Sequence, residues 1–377
     1  MQNVSPAPPG ERIRAELKQR NWTQTDLAKI MDRPLPTINE LIQAKRQVTP
    51  ETAVQLATAL GGTAKEWLDL ESTYRLSLVG NVHSDVERRA KLFDLAPVKD
   101  MERRAWIPKT NSAAKLEGEL CKFFSISSID EVPTIGANMR HGAGVDTMNP
   151  VQRAWCFRAK QLARSVHAEN FTEKTFERGL NDLRKIAAWP EESRKVPAIL
   201  SEMGIRFIVI EPLPHSRVDG AALWIDDAPV IAVSLRLDRI DSFWHTLGHE
   251  LSHIENRDAL AVDVDIVGKN RPTVVEQSEV EQRADREAAS LLIDQATLDD
   301  FIVRVGPMYS RNRINQLANL LRIHPGIIVG QLQFRSELSY AGMRETLVKV
   351  RDIVTSTALT DGWGHTVGIE ENDSAKD

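Results

Sequence analysis

The sequence predicts a mainly α protein with a small β-sheet, an α+β chain whose five-helix N-terminal unit precedes a helical stretch and a mixed second domain. Three observations carry this. Apolar residues recur at helical spacing between residues 10 and 74, with only short turns between the runs. Near Gly204 the texture changes to short β-branched runs, and from residue 241 onward helical periods return. A chain of 377 residues is also too long for one small domain. The boundaries read as a flexible leader at 1–9, a helical unit at 10–80, a helical connecting region at 81–200, a mixed domain at 201–365 and a disordered acidic tail at 366–377.

The leader carries Pro6, Pro8 and Pro9. After it, Ile13, Leu17, Leu27, Ala28, Ile30, Ile38, Leu41, Ile42, Ala53, Leu56, Ala57 and Leu60 form the expected core of the first unit. Thr23 reads as the N-cap of a helix through Met31, and Thr49-Pro50 as a cap followed by proline at the first helical position. Gly61-Gly62 ends that helix. Residues 151–162 and 171–188 are helical, the second stretch closed by Trp189-Pro190. Residues 206–210 read as a strand, and 221–225 with 230–233 as a hairpin about Asp226-Asp227. Asp241 or Ser242 would cap the next helix; further helices are expected at 278–293, 311–322 and 341–355.

Composition bounds the function. Hydrophobic content of 42% and charged content of 27% are those of an ordinary globular protein. No apolar run approaches the roughly 18–20 residues of a membrane helix, and no export pattern opens the chain, so a cytoplasmic protein without a membrane partner is expected. Cys121 and Cys156 stand far apart, which excludes a disulfide scaffold or a four-cysteine zinc site. A net charge of −5 means that any DNA-binding surface must be local.

Such a surface is expected on the helix at 35–44. Its apolar face is Ile38, Leu41 and Ile42, leaving Pro36, Thr37, Asn39, Glu40 and Gln43 to the major groove, with Lys45 and Arg46 beyond. Gln24 opens the preceding helix and can reach a phosphate. Glu40 points either to a cytosine amine or to weak nonspecific affinity, since basic and acidic residues nearly balance over residues 1–80. PPGERIRAELKQRNWTQTDLA, NELIQAKRQVTPETAVQLATALGG and KEWLDLESTYRL together resemble the Xre-type helix-turn-helix, and most closely the HigA-type antitoxins. Asp32 and Ala44 stand where such proteins commonly have glycine. The resemblance implies a homodimer on operator DNA and a HigB-like toxin encoded nearby.

In FWHTLGHELSHIENRD, His249 and His253 form an HExxH: residues four apart share a helix face, so both imidazoles can hold one zinc. Glu250 lies beside that face, placed to take a proton from water. His245, one turn earlier, is expected to be a bystander, because the three histidines span about 12 Å along the axis. The third ligand is sought in SEVEQRADREAASLLID among Glu279, Glu281 and Glu287. Glu281 is chosen because Asp285, one turn on, can then accept a ring N–H from a ligand histidine. Strand 230–233 is expected at a sheet edge, open to a substrate strand, and His324 is a candidate oxyanion stabiliser.

DGAALWIDDAPVIAVSLRLDRIDSFWHTLGHELSHI, EQRADREAASLLI and RIHPGIIVGQLQ look like the ImmA/IrrE metallopeptidase family, from about Gln152 to Gly364. The resemblance implies a minimal thermolysin-like zincin fold with one Zn2+ per chain (Mn2+ the alternative ion), His249, His253 and Glu281 as ligands, and Glu250 as general base. It implies cleavage of a regulatory protein partner or peptide. Arg283 departs from the family, standing where a second acid is common. A second reading keeps the antitoxin and autorepressor but treats the peptidase fold as a scaffold or metal sensor.

Overall fold

A computed structural model describes residues 6–78, 82–135, 148–258, 261–268 and 277–362. The expected acidic tail at 366–377 and the first five residues of the leader lie outside the described residues. The chain divides into two compact units, Met1–Arg89 and Ala90–Asp377.

The first unit holds five helices: α1 (Pro9–Arg20), α2 (Gln24–Ile30), α3 (Leu35–Ile42), α4 (Pro50–Leu60) and α5 (Ala64–Leu78). Local chemistry sets their ends. Thr23 caps α2 in a reciprocal box with Asp26, each side chain accepting the other residue's backbone N–H. The Thr49 hydroxyl accepts from Thr52 N–H at the start of α4, and Gly61, at φ +90°, ends that helix. Ile13, Leu27, Ile38, Leu56 and Trp67 meet in one core. Ile30 is an exception to the expected core: it is 48% exposed, close in sequence to the exposed Leu35.

The second unit is a five-stranded sheet with helices on both faces. Leading into it are α6 (Val82–Leu95), α7 (Val98–Arg103), α8 (Ala113–Phe124), α9 (Pro150–Ala163), α10 (Glu173–Ile186) and α11 (Val196–Met203). The strands are β1 (Arg206–Val209), β2 (Val218–Ile225), β3 (Ala228–Val233), β4 (Ala261–Val264) and β5 (Leu359–Thr360), in the order β4-β2-β3-β1-β5. The other helices are α12 (Ile240–Glu255), α13 (Glu279–Leu292), α14 (Gln295–Val305), α15 (Arg311–Leu321), α16 (Pro325–Phe334) and α17 (Arg351–Thr355).

Both phases of β1 and β3, and of β2 from Ala221 to Ile225, are apolar. Phe207, Val209, Ile231 and Val233 pack with α10–α17 on one face, and Ile208, Ala221, Leu223 and Ala232 with α7–α9 on the other. Most of the stretch at 81–200 is therefore no connector. Within it α7–α9 cover one face of the sheet, while α10 and α11 help cover the other.

The hairpin forms as expected: Asp226 and Asp227, at φ 51° and 61°, make its two-residue turn, a left-handed pair suited to strand twist. Three expectations need correction. The strand at 230–233 is interior, with β2 antiparallel on one side and β1 parallel on the other; the edge beside the helix of the HExxH motif is β4. That helix, α12, is preceded by Arg239 as N-cap, while Asp241 sits in its first turn paired with the Arg239 guanidinium. Residues 341–355 form a 3-10 turn and the short α17 rather than one helix, because Met343 at φ 51° interrupts the run.

Candidate metal centre and nucleic-acid interface

Helix α12 runs through the interior of the second unit, and His249, Glu250 and His253 are fully buried. Small residues let α13 approach it. A Cβ on Gly248 would lie 3.1 Å from the Ala288 backbone, so side-chain-free contact sets that crossing. The approach brings Glu281 to the histidines. His249 Nε2 lies 3.1 Å from Glu281 Oε2, and His253 Nε2 lies 3.9 Å from the same oxygen.

A fourth group, unforeseen from the sequence, completes the cluster. Asp263 of β4 stands 3.4 Å from His249 Nε2 and 3.7 Å from His253 Nε2. One donor atom from each of His249, His253, Asp263 and Glu281 lies within 4.8 Å of the others. Bonds of about 2 Å at tetrahedral angles place ligand atoms roughly 3.3 Å apart, so the spacing matches one ion shared by all four.

The outer nitrogens are held as well. Asp285 Oδ1 lies 2.9 Å from His249 Nδ1, and Gln277 donates to its other oxygen at 2.8 Å. Asp258 Oδ2 lies 2.9 Å from His253 Nδ1 and is itself paired with Arg283. Each imidazole thus turns Nε2 inward with a carboxylate oxygen beside Nδ1, hydrogen-bonded at His253 and in close approach at His249, the kind of outer contact that orients a metal-binding histidine. Arg283, the departure noted in the sequence, serves this chain of contacts. Glu279 is exposed, and Glu287 accepts from the Ser252 hydroxyl at 2.5 Å. His245 stays outside the four-residue group, its Nε2 3.6 Å from Asp285.

Glu250 occupies space that β2 leaves by having no side chain at Gly220, where a Cβ would come within 2.1 Å of Glu250 Oε1. Gly220 pairs with Asp263 across the ladder, so the three residues face one small volume. Both Glu250 oxygens, Asp263 Oδ2 and His253 Nε2 are buried without a hydrogen-bond partner. Such groups are costly in a protein interior unless a cation or proton serves them.

The protonation tendencies agree. Burial, with Asp263 nearby, raises the Glu250 pKa well above the usual carboxylate value. Burial alone would lower that of His249, but Asp263, Asp285 and Glu281 outweigh it and raise it. Burial also raises that of Glu281, while His249 keeps Asp263 ionised below the ordinary range against its own burial. The volume attracts positive charge, and its oxygen-and-imidazole donor set suits a divalent cation of the zinc kind.

His324 does not join this group. Its Nδ1 accepts the Gly326 N–H at 3.1 Å and so caps α16, while its backbone N–H donates to the Ala187 carbonyl.

In the first unit, Gln24, Pro36, Gln43, Lys45 and Arg46 are exposed, and Thr37 and Asn39 half-buried. Pro36, Thr37 and Asn39 lie on α3, with Gln43 as its C-cap. Glu40 pairs with Arg46 at 3.3 Å, an intramolecular use for the acid that weakens the case for a cytosine contact. Asp32 and Ala44 both adopt left-handed backbone, at φ 48° and 57°, so alanine occupies a glycine-type turn.

Of the two acids the sequence reading missed, Asp258 follows a helix end and Asp263 lies in AVDVD. Alternation of acid with valine was the only available signal for the second. Among the described residues no helix is long and apolar enough to cross a membrane.

Residues 13–68 match the family described as Helix-turn-helix. The chain is 35% identical over 71 residues to Virulence-associated protein I of Dichelobacter nodosus, covering 19% of this chain and 66% of that protein, just under two thirds of its length. It is 29% identical over 69 residues to the HTH-type transcriptional regulator YddM of Escherichia coli, covering 18% and 73% of the two chains. A solved chain from Nostoc punctiforme, described as an antidote protein of a plasmid maintenance system, shares 29% identity over 23% of this chain and 96% of its own, with a TM-score of 0.21. Residues 13–68 of the N-terminal unit thus form a helix-turn-helix.

Proposed function

We propose that this chain is an antitoxin-type repressor whose second unit is a divalent-metal peptidase acting on a regulatory protein. The HigA-like sequence of the first unit supports the antitoxin part, with a homodimer placing two α3 helices in successive major grooves. The observation that carries the peptidase part is the inward convergence of His249 Nε2, His253 Nε2 and Glu281 Oε2, with Glu250 alongside and both outer nitrogens resting on carboxylates.

When bound, zinc would supply Lewis acidity toward a peptide carbonyl and make water a better nucleophile at neutral pH. His249, His253 and Glu281 would hold it. Glu250, buried beside the two imidazoles, would take the proton of the attacking water and return it to the leaving amine. Asp285 and Asp258 keep the two imidazoles in register.

The test compares the proteomes of cells carrying wild type and Glu250→Gln. A protein fragmented only by the wild type is the expected result; fragmentation equal in both strains would refute the peptidase. One observation favours the second reading, an autorepressor whose peptidase fold senses metal: four protein groups, not three, converge on the centre, as in structural sites. On that reading metal alters operator affinity and no protein is ever cut.

A further inference from the structure

Hydrolytic zinc sites use three protein ligands and keep a fourth position for water or substrate, whereas four ligands close a structural site. The cluster here has four. We propose that Asp263 is the fourth protein ligand of this metal, so that the centre is closed in the present conformation and the peptidase is latent. This rests on the metal reading above, which needs only His249, His253 and Glu281.

Geometry supports it first. The Asp263 carboxylate reaches both imidazoles, one oxygen 3.4 Å from His249 Nε2 and the other 3.7 Å from His253 Nε2. It is 3% exposed, and its Oδ2 has no hydrogen-bond partner, so it is aimed at the centre rather than at solvent or a donor. Among the described residues the guanidinium groups nearby pair with Asp219 and Asp265 instead. Arg236 clasps Asp219 of β2 with two hydrogen bonds, 2.9 and 3.0 Å, and lies 3.2 Å from Asp265, which Arg217 also pairs.

Those contacts act on the strand. Asp263 faces Gly220 in the β2–β4 ladder, and the Asp265 ion pairs anchor the end of β4 to β2. The blocking carboxylate therefore sits on a fixed strand at the sheet edge. Peptide can reach the metal only when Asp263 withdraws, and Arg236 is the positioning residue that resists withdrawal.

The full-length chain, stripped of metal and reloaded with Co2+, tests this by its visible spectrum. In wild type, intense four-coordinate bands unmoved by acetohydroxamate are expected. Asp263→Asn and Asp263→Ala should give weaker bands that shift with acetohydroxamate, and should lose zinc to a competing chelator with affinity lowered roughly 100-fold. Arg236→Leu should make the wild-type spectrum partly responsive to acetohydroxamate, with less effect on zinc affinity. Wild-type bands that already respond, or variants matching wild type in spectrum and chelator resistance, would overturn the assignment. If both Asp263 variants lose their far-UV circular dichroism, the wild-type acetohydroxamate response alone decides. Failure of the underlying reading looks different: wild type then takes up no stoichiometric metal, or His249→Ala and Glu281→Gln bind it as tightly as wild type, and the proposal falls with it.

Discussion

Gly220 and Glu250 are coupled by space. A methyl group at Gly220 would meet Glu250 Oε1 at 2.1 Å, so Gly220→Ala must displace the carboxylate or the strand. Overpacking of this kind costs about 1–3 kcal/mol, readable as a lower urea midpoint. Glu250→Ala empties the same volume, so the double variant should recover most of that loss; independent, additive effects would show that the two do not share it. Ala44 offers the opposite case. Its φ of 57° strains an L residue, and Arg75 donates to its carbonyl at 3.0 Å, holding the turn in place. Ala44→Gly should stabilise the first unit by up to about 1 kcal/mol, the relieved strain being partly offset by glycine's unfolded-state entropy. A lower melting temperature in the glycine variant would contradict this.

Among elements, α3 is the one whose surface can be tested most directly. Lys45→Ala should weaken operator binding about equally across sequences and reduce the salt slope by about 0.9, the mark of one lost phosphate contact. Asn39→Ala should instead cost about 1–3 kcal/mol and relax specificity at one base position. Equal losses on operator and random DNA for both variants would mean that α3 does not read bases. The helices were legible because their signals are local: the Thr23 and Thr49 caps, the four-residue spacing of His249 and His253, and the proximity of Glu281 and Asp285 on one turn all lie within short windows. The sheet was less so. β3 looked like an edge because nothing in 230–233 records that β1 returns parallel beside it, a pairing made from more than twenty residues upstream. Likewise Asp263 owes its place to a ladder with Gly220, and sequence spacing carries no trace of that register. The burial of both faces of β2 was readable in principle from the apolar run Ala221–Ile225, which calls for helices on each side.

At the scale of the molecule, two compact units with separate hydrophobic cores should unfold as separate events. The four groups that could hold a metal all belong to the second unit, on α12, β4 and α13. A ligand stabilises only the state that binds it, by RT ln(1 + [L]/Kd), which is about 2.7 kcal/mol at a hundredfold excess over Kd. Zinc should therefore raise one calorimetric transition and leave the other where it was. Fragment 1–89 should show the zinc-independent transition alone and keep its operator contacts, since Gln24, Asn39, Lys45 and the core beneath them lie within it. His249→Ala should abolish the zinc-dependent shift, whereas His245→Ala should retain most of it, because His245 approaches Asp285 without joining the four donors. A single transition in the full chain, or a zinc shift in fragment 1–89, would show that the division of stability drawn here is wrong. If zinc leaves the first transition unmoved yet changes operator affinity in the full chain, the coupling between metal and DNA acts on the bound state rather than on the folding of the reader. That outcome would favour the metal-sensing repressor over an independent peptidase.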